Sequence, residues 1–222
     1  MHIEPGFVAP AKVLAANAGA LGLVAWGARE QLRDLMRSPV APLKTVAAAV
    51  FFSLFMQSFH MPVGPSELHF VGAMAIYLTF GFAPTLLGFG LGLLMQGLLF
   101  EPGDLVHLGV NSLSLMVPLI AVHYSQGKRL FEGDAARRLT WRRIVALDAQ
   151  YYAGVTAMVG FWLFVGEGTT AFSDWLAFAA SYLAVVACEP VVTWGVVKGL
   201  KKIEDQAWVG HLFAVRDLRL AA

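Results

Sequence analysis

Of the 222 residues, 58% are hydrophobic and only 14% are charged, with 16 lysines and arginines against 15 aspartates and glutamates for a net charge of +1. Mean hydropathy is +0.65. Soluble domains carry charge on about a quarter of their residues, so this balance points into a bilayer and offers no basic surface for nucleic acid. A single cysteine, Cys188, excludes an internal disulfide framework.

The chain opens MHIEPGFV, where the only charge before Lys12 is Glu4. A secretory signal would need a basic region there, so this segment is expected to persist in the mature protein. A spanning helix needs about 20 mostly apolar residues. The first candidate runs from Val13 to Ala28, where AANAGALG at 15–22 permits close approach of a helix of the bundle or of a partner protein. The second runs from Leu43 to Phe59. Leu68 to Phe100 is free of formal charge and too long for one span; GFAP at 81–84 supplies a turn, so two somewhat short helices are expected there. Leu105 to Gln126, Ile144 to Val165 and Trp175 to Val197 complete a seven-helix, all-α transmembrane bundle. Three parts follow: an extracytoplasmic lid at 1–12, the bundle at 13–197 and a cytoplasmic tail at 198–222. The tail, from Ile203 on, reads either as an amphipathic helix on the inner surface or as a frayed end.

Lysine and arginine resist translocation and so mark the cytoplasmic side. They cluster at Arg29, Arg33, Arg37 and Lys44, at Lys128, Arg129, Arg137, Arg138, Arg142 and Arg143, and at Lys198, Lys201 and Lys202. Segments 60–68, 101–107 and 166–174 hold none, but do hold Glu67, Glu101, Asp104, Glu167 and Asp174. This places the amino terminus outside and the carboxyl terminus in the cytoplasm, with Lys12 as the exception. The outer carboxylates either attract cations or are ordinary loop chemistry.

Four of the six histidines, His2, His60, His69 and His107, fall at the outer ends of helices or in outer loops. A histidine at position 2 generally blocks removal of the initiator methionine, which leaves the α-amine of Met1 free. That amine, the backbone nitrogen of His2 and its imidazole can form fused chelate rings in one plane, a donor set suited to Ni(II), Cu(II) or low-spin Co(II). A fourth donor would close the square, and His69 is available.

Three stretches resemble the CbiM/NikM family, the cobalt- or nickel-binding membrane components of energy-coupling-factor (ECF) transporters. MHIEPGF is similar to the family's opening, with Glu4-Pro5 departing from it. In PVGPSELHFVGA at 62–73, Pro62, Val63, Ser66, His69 and Gly72 fall in register, while Glu67-Leu68 departs. In QGLLFEPGDLVHLGVNSLSLMVP at 96–118, the matches are Gln96, Leu98, Leu99, Phe100, Gly103, Gly109 and Asn111; Glu189 and Thr193 form a weaker one. The resemblance implies that Met1, His2 and His69 bind the metal, and that the chain is a substrate-binding (S) component with a seventh helix. It also implies partners: a transmembrane coupling (T) component, a pair of cytosolic ABC ATPases and often a small accessory membrane subunit, in a bacterial or archaeal cytoplasmic (inner) membrane.

Other residues have open roles. Glu67 either orients the His69 imidazole or is a solvated carboxylate. Asn111 either holds the amino-terminal segment or packs between helices. Ser66 lies beside the site, and His60 and His107 could line an approach route without ligating. Glu189, costly at membrane depth, has to be paired, protonated or in a polar cavity. A membrane haem protein would need histidines paired at matching depth, which His69 and His123 are not. An intramembrane protease would need a motif-borne nucleophile, and Ser66 has none. No GxxxxGK[ST] phosphate loop occurs, so ATP has to act through the partners. The expected function is capture of Ni(II) or Co(II), the transported ligand, by closure of MHIEPGFV over the outer loop, then reorientation of the loaded bundle. No enzymatic activity is expected.

Overall fold

Backbone N–H and C=O groups in hydrocarbon have to satisfy one another, and a helix does so within a single segment. The computed structural model describes residues 2–3, 6–35, 40–63, 66–132, 138–166 and 172–221. Met1, Glu4, Pro5, Arg37, Arg137 and Glu167 lie outside the described residues. Of the described residues, 81% are helical. In order it forms β1 (His2–Ile3), α1 (Pro10–Leu35), α2 (Ala41–Ser58), β2 (His60–Val63), β3 (Ser66–His69), α3 (Ala73–Phe80) and α4 (Phe82–Leu99). There follow α5 (Leu108–Val122), α6 (Trp141–Val165), α7 (Phe172–Lys201) and a short α8 (Ala207–Leu212). Among the described residues, six helical runs, Pro10–Leu32, Ala41–Ser58, Phe82–Leu99, Pro102–Leu130, Trp141–Val165 and Phe172–Lys201, are long and apolar enough to cross a membrane. The protein is a multi-pass membrane protein.

The break expected at 81–84 falls at Gly81, whose φ of 86° suits glycine. The helix before it is much shorter than expected: α3 has eight residues, about 12 Å of length. All eight are buried. The residues at the start of the expected span, Leu68 and His69, belong instead to β3. Direction follows from paired contacts. Ser53 Oγ donates to the Gly92 carbonyl at 3.4 Å, and Gln57 Nε2 to Gln96 Oε1 at 2.8 Å. A Cβ on Gly88 would sit 2.7 Å from that of Ala48, so glycine is what lets these helices touch. α2 and α4 therefore run parallel, and residues 70–81 carry the chain back between them. α5 and α6 are antiparallel, with Trp162 Nε1 donating to Ser114 Oγ at 3.0 Å and Gly154 against Pro118.

Segment 60–68, expected as a loop, is mostly strand. β1 and β2 flank β3, both antiparallel, in the order β1-β3-β2. One apolar core joins α2 to α7 through Phe52, Phe89, Tyr77, Leu115, Tyr151 and Phe178. A second, formed by Ile3, Val8, Val13, Ala16, Val110 and Trp162, buries the amino-terminal segment against α1, α5 and α6. The tail is neither a free surface helix nor frayed over residues 207–221. Val209, Val215 and Leu218 join the main core, Phe213 meets Phe80 at 5.5 Å between ring centroids, and Leu220 bridges to Leu139.

Candidate metal site

Residues directly opposite in an antiparallel pair share a face, and successive residues of a strand alternate faces. In β3, Ser66 and Leu68 therefore occupy one face, with Ile3 opposite Ser66. All three are buried. Glu67 and His69 occupy the other; His60 of β2 stands opposite His69, and His2 of β1 stands opposite Glu67. His69 is buried, and its Nε2 lies 3.0 Å from Glu67 Oε2. The His60 and His69 rings stack with centroids 6.1 Å apart and planes at 29°, His60 on the exposed side.

The amino-terminal strand is held by its backbone. Ile3 is fully buried; its N–H donates to Asn111 Oδ1 at 3.1 Å, and its carbonyl accepts from His107 Nδ1 at 2.9 Å. His107 ends the 3₁₀ turn Pro102–His107, and Asn111 lies four residues on, so the two reach the two backbone groups of the same residue from one side. Both are buried. Gly109, between them, donates its N–H to Asn17 Oδ1 at 2.8 Å, and a Cβ there would collide with the Asn17 backbone. The clamp is thus tied to α1. Lys12 Nζ reaches the Val165 carbonyl at the end of α6.

Of the expected site residues, His2, His60, Ser66, Glu67, His69, His107 and Asn111 gather at this one end of the bundle. Met1 is outside the described residues, and His2 is described through its backbone. Ser66 faces away from the Glu67–His69 row, which separates it from His69 as a nucleophile pair. His123 belongs to the opposite end, where Tyr77 Oη lies 2.8 Å from its Nδ1 and Phe82 stacks on it at 3.9 Å. Among the described residues no three His, Cys, Asp or Glu side chains form a group able to hold a metal. The expected ligand set draws its further donors from Met1 and His2.

Glu189 has a part that sequence reasoning missed. From α7 its Oε1 accepts from the N–H groups of Val71 at 3.1 Å and Gly72 at 2.8 Å, and from the Tyr152 hydroxyl. A lone carboxylate in an apolar run signalled a buried polar contact but could not name the backbone it meets.

The chain matches the family described as "Cobalt uptake substrate-specific transmembrane region" (CbiM) over residues 2–207. It is 26% identical over 207 residues to a Haemophilus influenzae protein named "Putative metal transport protein", covering 91% of this chain and 94% of that one. Its fold is similar to that of a crystal structure of a transition metal transporter, with a TM-score of 0.70 and 19% identity over 95% of this chain and 96% of the other. A truncated transition metal transporter matches with a TM-score of 0.66 and 20% identity, over 91% of this chain and 99% of that one.

Proposed function

We propose, from the premise that this chain belongs to the CbiM family of cobalt uptake substrate-specific transmembrane proteins, that it captures Ni(II) or Co(II) at the outer face for delivery inward. It is a metal transport membrane component and not an enzyme. The observation that carries the reading is the clamp on Ile3: it seats β1 so that His2 stands opposite Glu67, on the row that holds His69. The ligands in this reading are the Met1 amine, the backbone nitrogen and imidazole of His2, and one imidazole nitrogen of His69. A tautomer of His69 that donates from Nε2 to Glu67 carries its lone pair on Nδ1, so Glu67 orients the ring toward the metal. Four nitrogens in a plane favour Ni(II) or low-spin Co(II) over hard cations.

The parallel course of α2 and α4 supports seven crossings, with residues 70–81 as the short third one, the amino terminus outside and the carboxyl terminus in the cytoplasm. The lysine and arginine clusters then face inward. Uptake in this reading is ATP-driven through an ECF coupling (T) component and an ATPase pair in a bacterial or archaeal inner membrane, the loaded bundle reorienting against its partners. Calorimetry on the purified chain with its amino terminus at Met1 tests the site. Tight binding of nickel or cobalt, lost in His2→Ala and after an added residue before Met1, is the expected result. Undiminished binding in both variants would refute the ligand set.

A further inference from the structure

We infer that Glu189 is a positioning residue for metal capture: from α7 it fixes the β3–α3 junction and thereby the place of His69. This inference rests on the reading of His69 as a ligand. The junction is an awkward piece of backbone. Gly72 has a φ of 62°, and a Cβ on it would overlap the Phe55 ring, so the chain turns sharply here in a crowded place. α3 has no capping side chain of its own at Gly72. What holds the turn is the fully buried Glu189 carboxyl, one oxygen of which receives both consecutive N–H groups. The Tyr152 hydroxyl donates to the same oxygen and ties it to α6.

Val71 is two residues beyond His69, about 7 Å along an extended chain. A planar site tolerates errors of roughly 0.5 Å in its ligands. β1 pairs with β3 only at Ser66 and Glu67, so the end of β3 that carries His69 runs two residues past that pairing, and within the sheet only the edge strand β2 lies beside it. β1 is fixed to α5 by the clamp on Ile3, whereas the end of β3 is fixed to α6 and α7 by Glu189. The distance between the two halves of the ligand set therefore depends on the two-residue pairing of β1 with β3 and on an anchor at each end of it, in different helices, and Glu189 is the anchor on the His69 side. Asp148, also fully buried, makes no hydrogen bond to the junction among the described residues, so it separates anchoring from mere burial of a carboxyl group.

The test compares nickel affinity, the visible absorption of bound Ni(II) and metal-free melting temperature in the full chain with its amino terminus at Met1. The variants are Glu189→Ala, Glu189→Gln, Tyr152→Phe and Asp148→Asn. Glu189→Ala is expected to weaken binding about ten- to a hundredfold and to change the planar Ni(II) band. Glu189→Gln keeps an acceptor oxygen and is expected to restore the band. Tyr152→Phe, which removes one of the three donors and preserves the fold if Ala does not, is expected to fall between them. Wild-type affinity and spectrum in Tyr152→Phe and Glu189→Gln together with Glu189→Ala would overturn the inference. So would an equal loss in Asp148→Asn at matched melting temperature. Failure of the wild-type chain to bind nickel or cobalt removes the ligand reading itself, an outcome distinct from a variant series that binds normally.

Discussion

Replacing Asn111 with alanine isolates one half of the clamp on Ile3. The side chain of Ile3 stays buried, worth about 1.5–3 kcal/mol, and the His107 bond to its carbonyl remains. What is lost is the acceptor for a fully buried N–H. Leaving such a donor unpaired costs about 1–3 kcal/mol. If β1 must be seated for metal to bind, that cost falls on the bound state; at about 1.4 kcal/mol per factor of ten, Kd rises roughly 5- to 150-fold. Calorimetry with nickel in detergent, beside a melting curve without metal, measures it. His107→Ala is expected to loosen the same residue, so the double variant should lose less than the sum of the two. A Kd for Asn111→Ala within about twofold of wild type, with unchanged melting, would refute the argument that the backbone of residue 3 positions residue 2.

Three further outcomes follow from the geometry. Glu67→Gln keeps the shape but removes the charge beside His69 Nε2, and nickel affinity is expected to drop about tenfold or more by calorimetry. Gly72→Ala forces a side chain into the left-handed region and onto Phe55; melting should report a destabilisation of about 1–3 kcal/mol. Gly88→Ala pushes α2 from α4 by placing a Cβ 2.7 Å from that of Ala48, and overpacking there should cost about 1–3 kcal/mol in the same assay.

The long helices were legible because a bilayer imposes one rule on every residue of a span, and runs such as Trp175 to Val197 state it repeatedly. The turn at Gly81 was legible for the opposite reason, since glycine and proline interrupt a run that nothing else divides. The sheet was not. HMPV and SELH are too short for a period of two to stand out, and a proline argues against a strand unless that strand is at an edge. β2 is an edge, so Pro62 withholds no hydrogen bond that a neighbour needs. The gathering of His2, His60, His69 and His107 at one end could be read from topology, but the division of labour could not. His107 and Asn111 both meet Ile3 rather than one another, and that depends on the packing of Ile3, Val8 and Val13 into a core of their own. Glu189 shows the same limit: hydropathy flags its cost, and only the turn at Gly72 explains its partners.

The eight residues of α3 have no outward side at all. A segment of about 12 Å cannot be retained by lipid on its own account, because no insertion step can recognise it as a span of about 20 residues. Its place has to be made for it by α2, α4 and α7, so the passage from Phe70 to Gly81 depends on the packing of its neighbours. The histidine just before that passage is buried by the same packing, so in the proposed reading a chain arrested in assembly would lack a finished place for an ion.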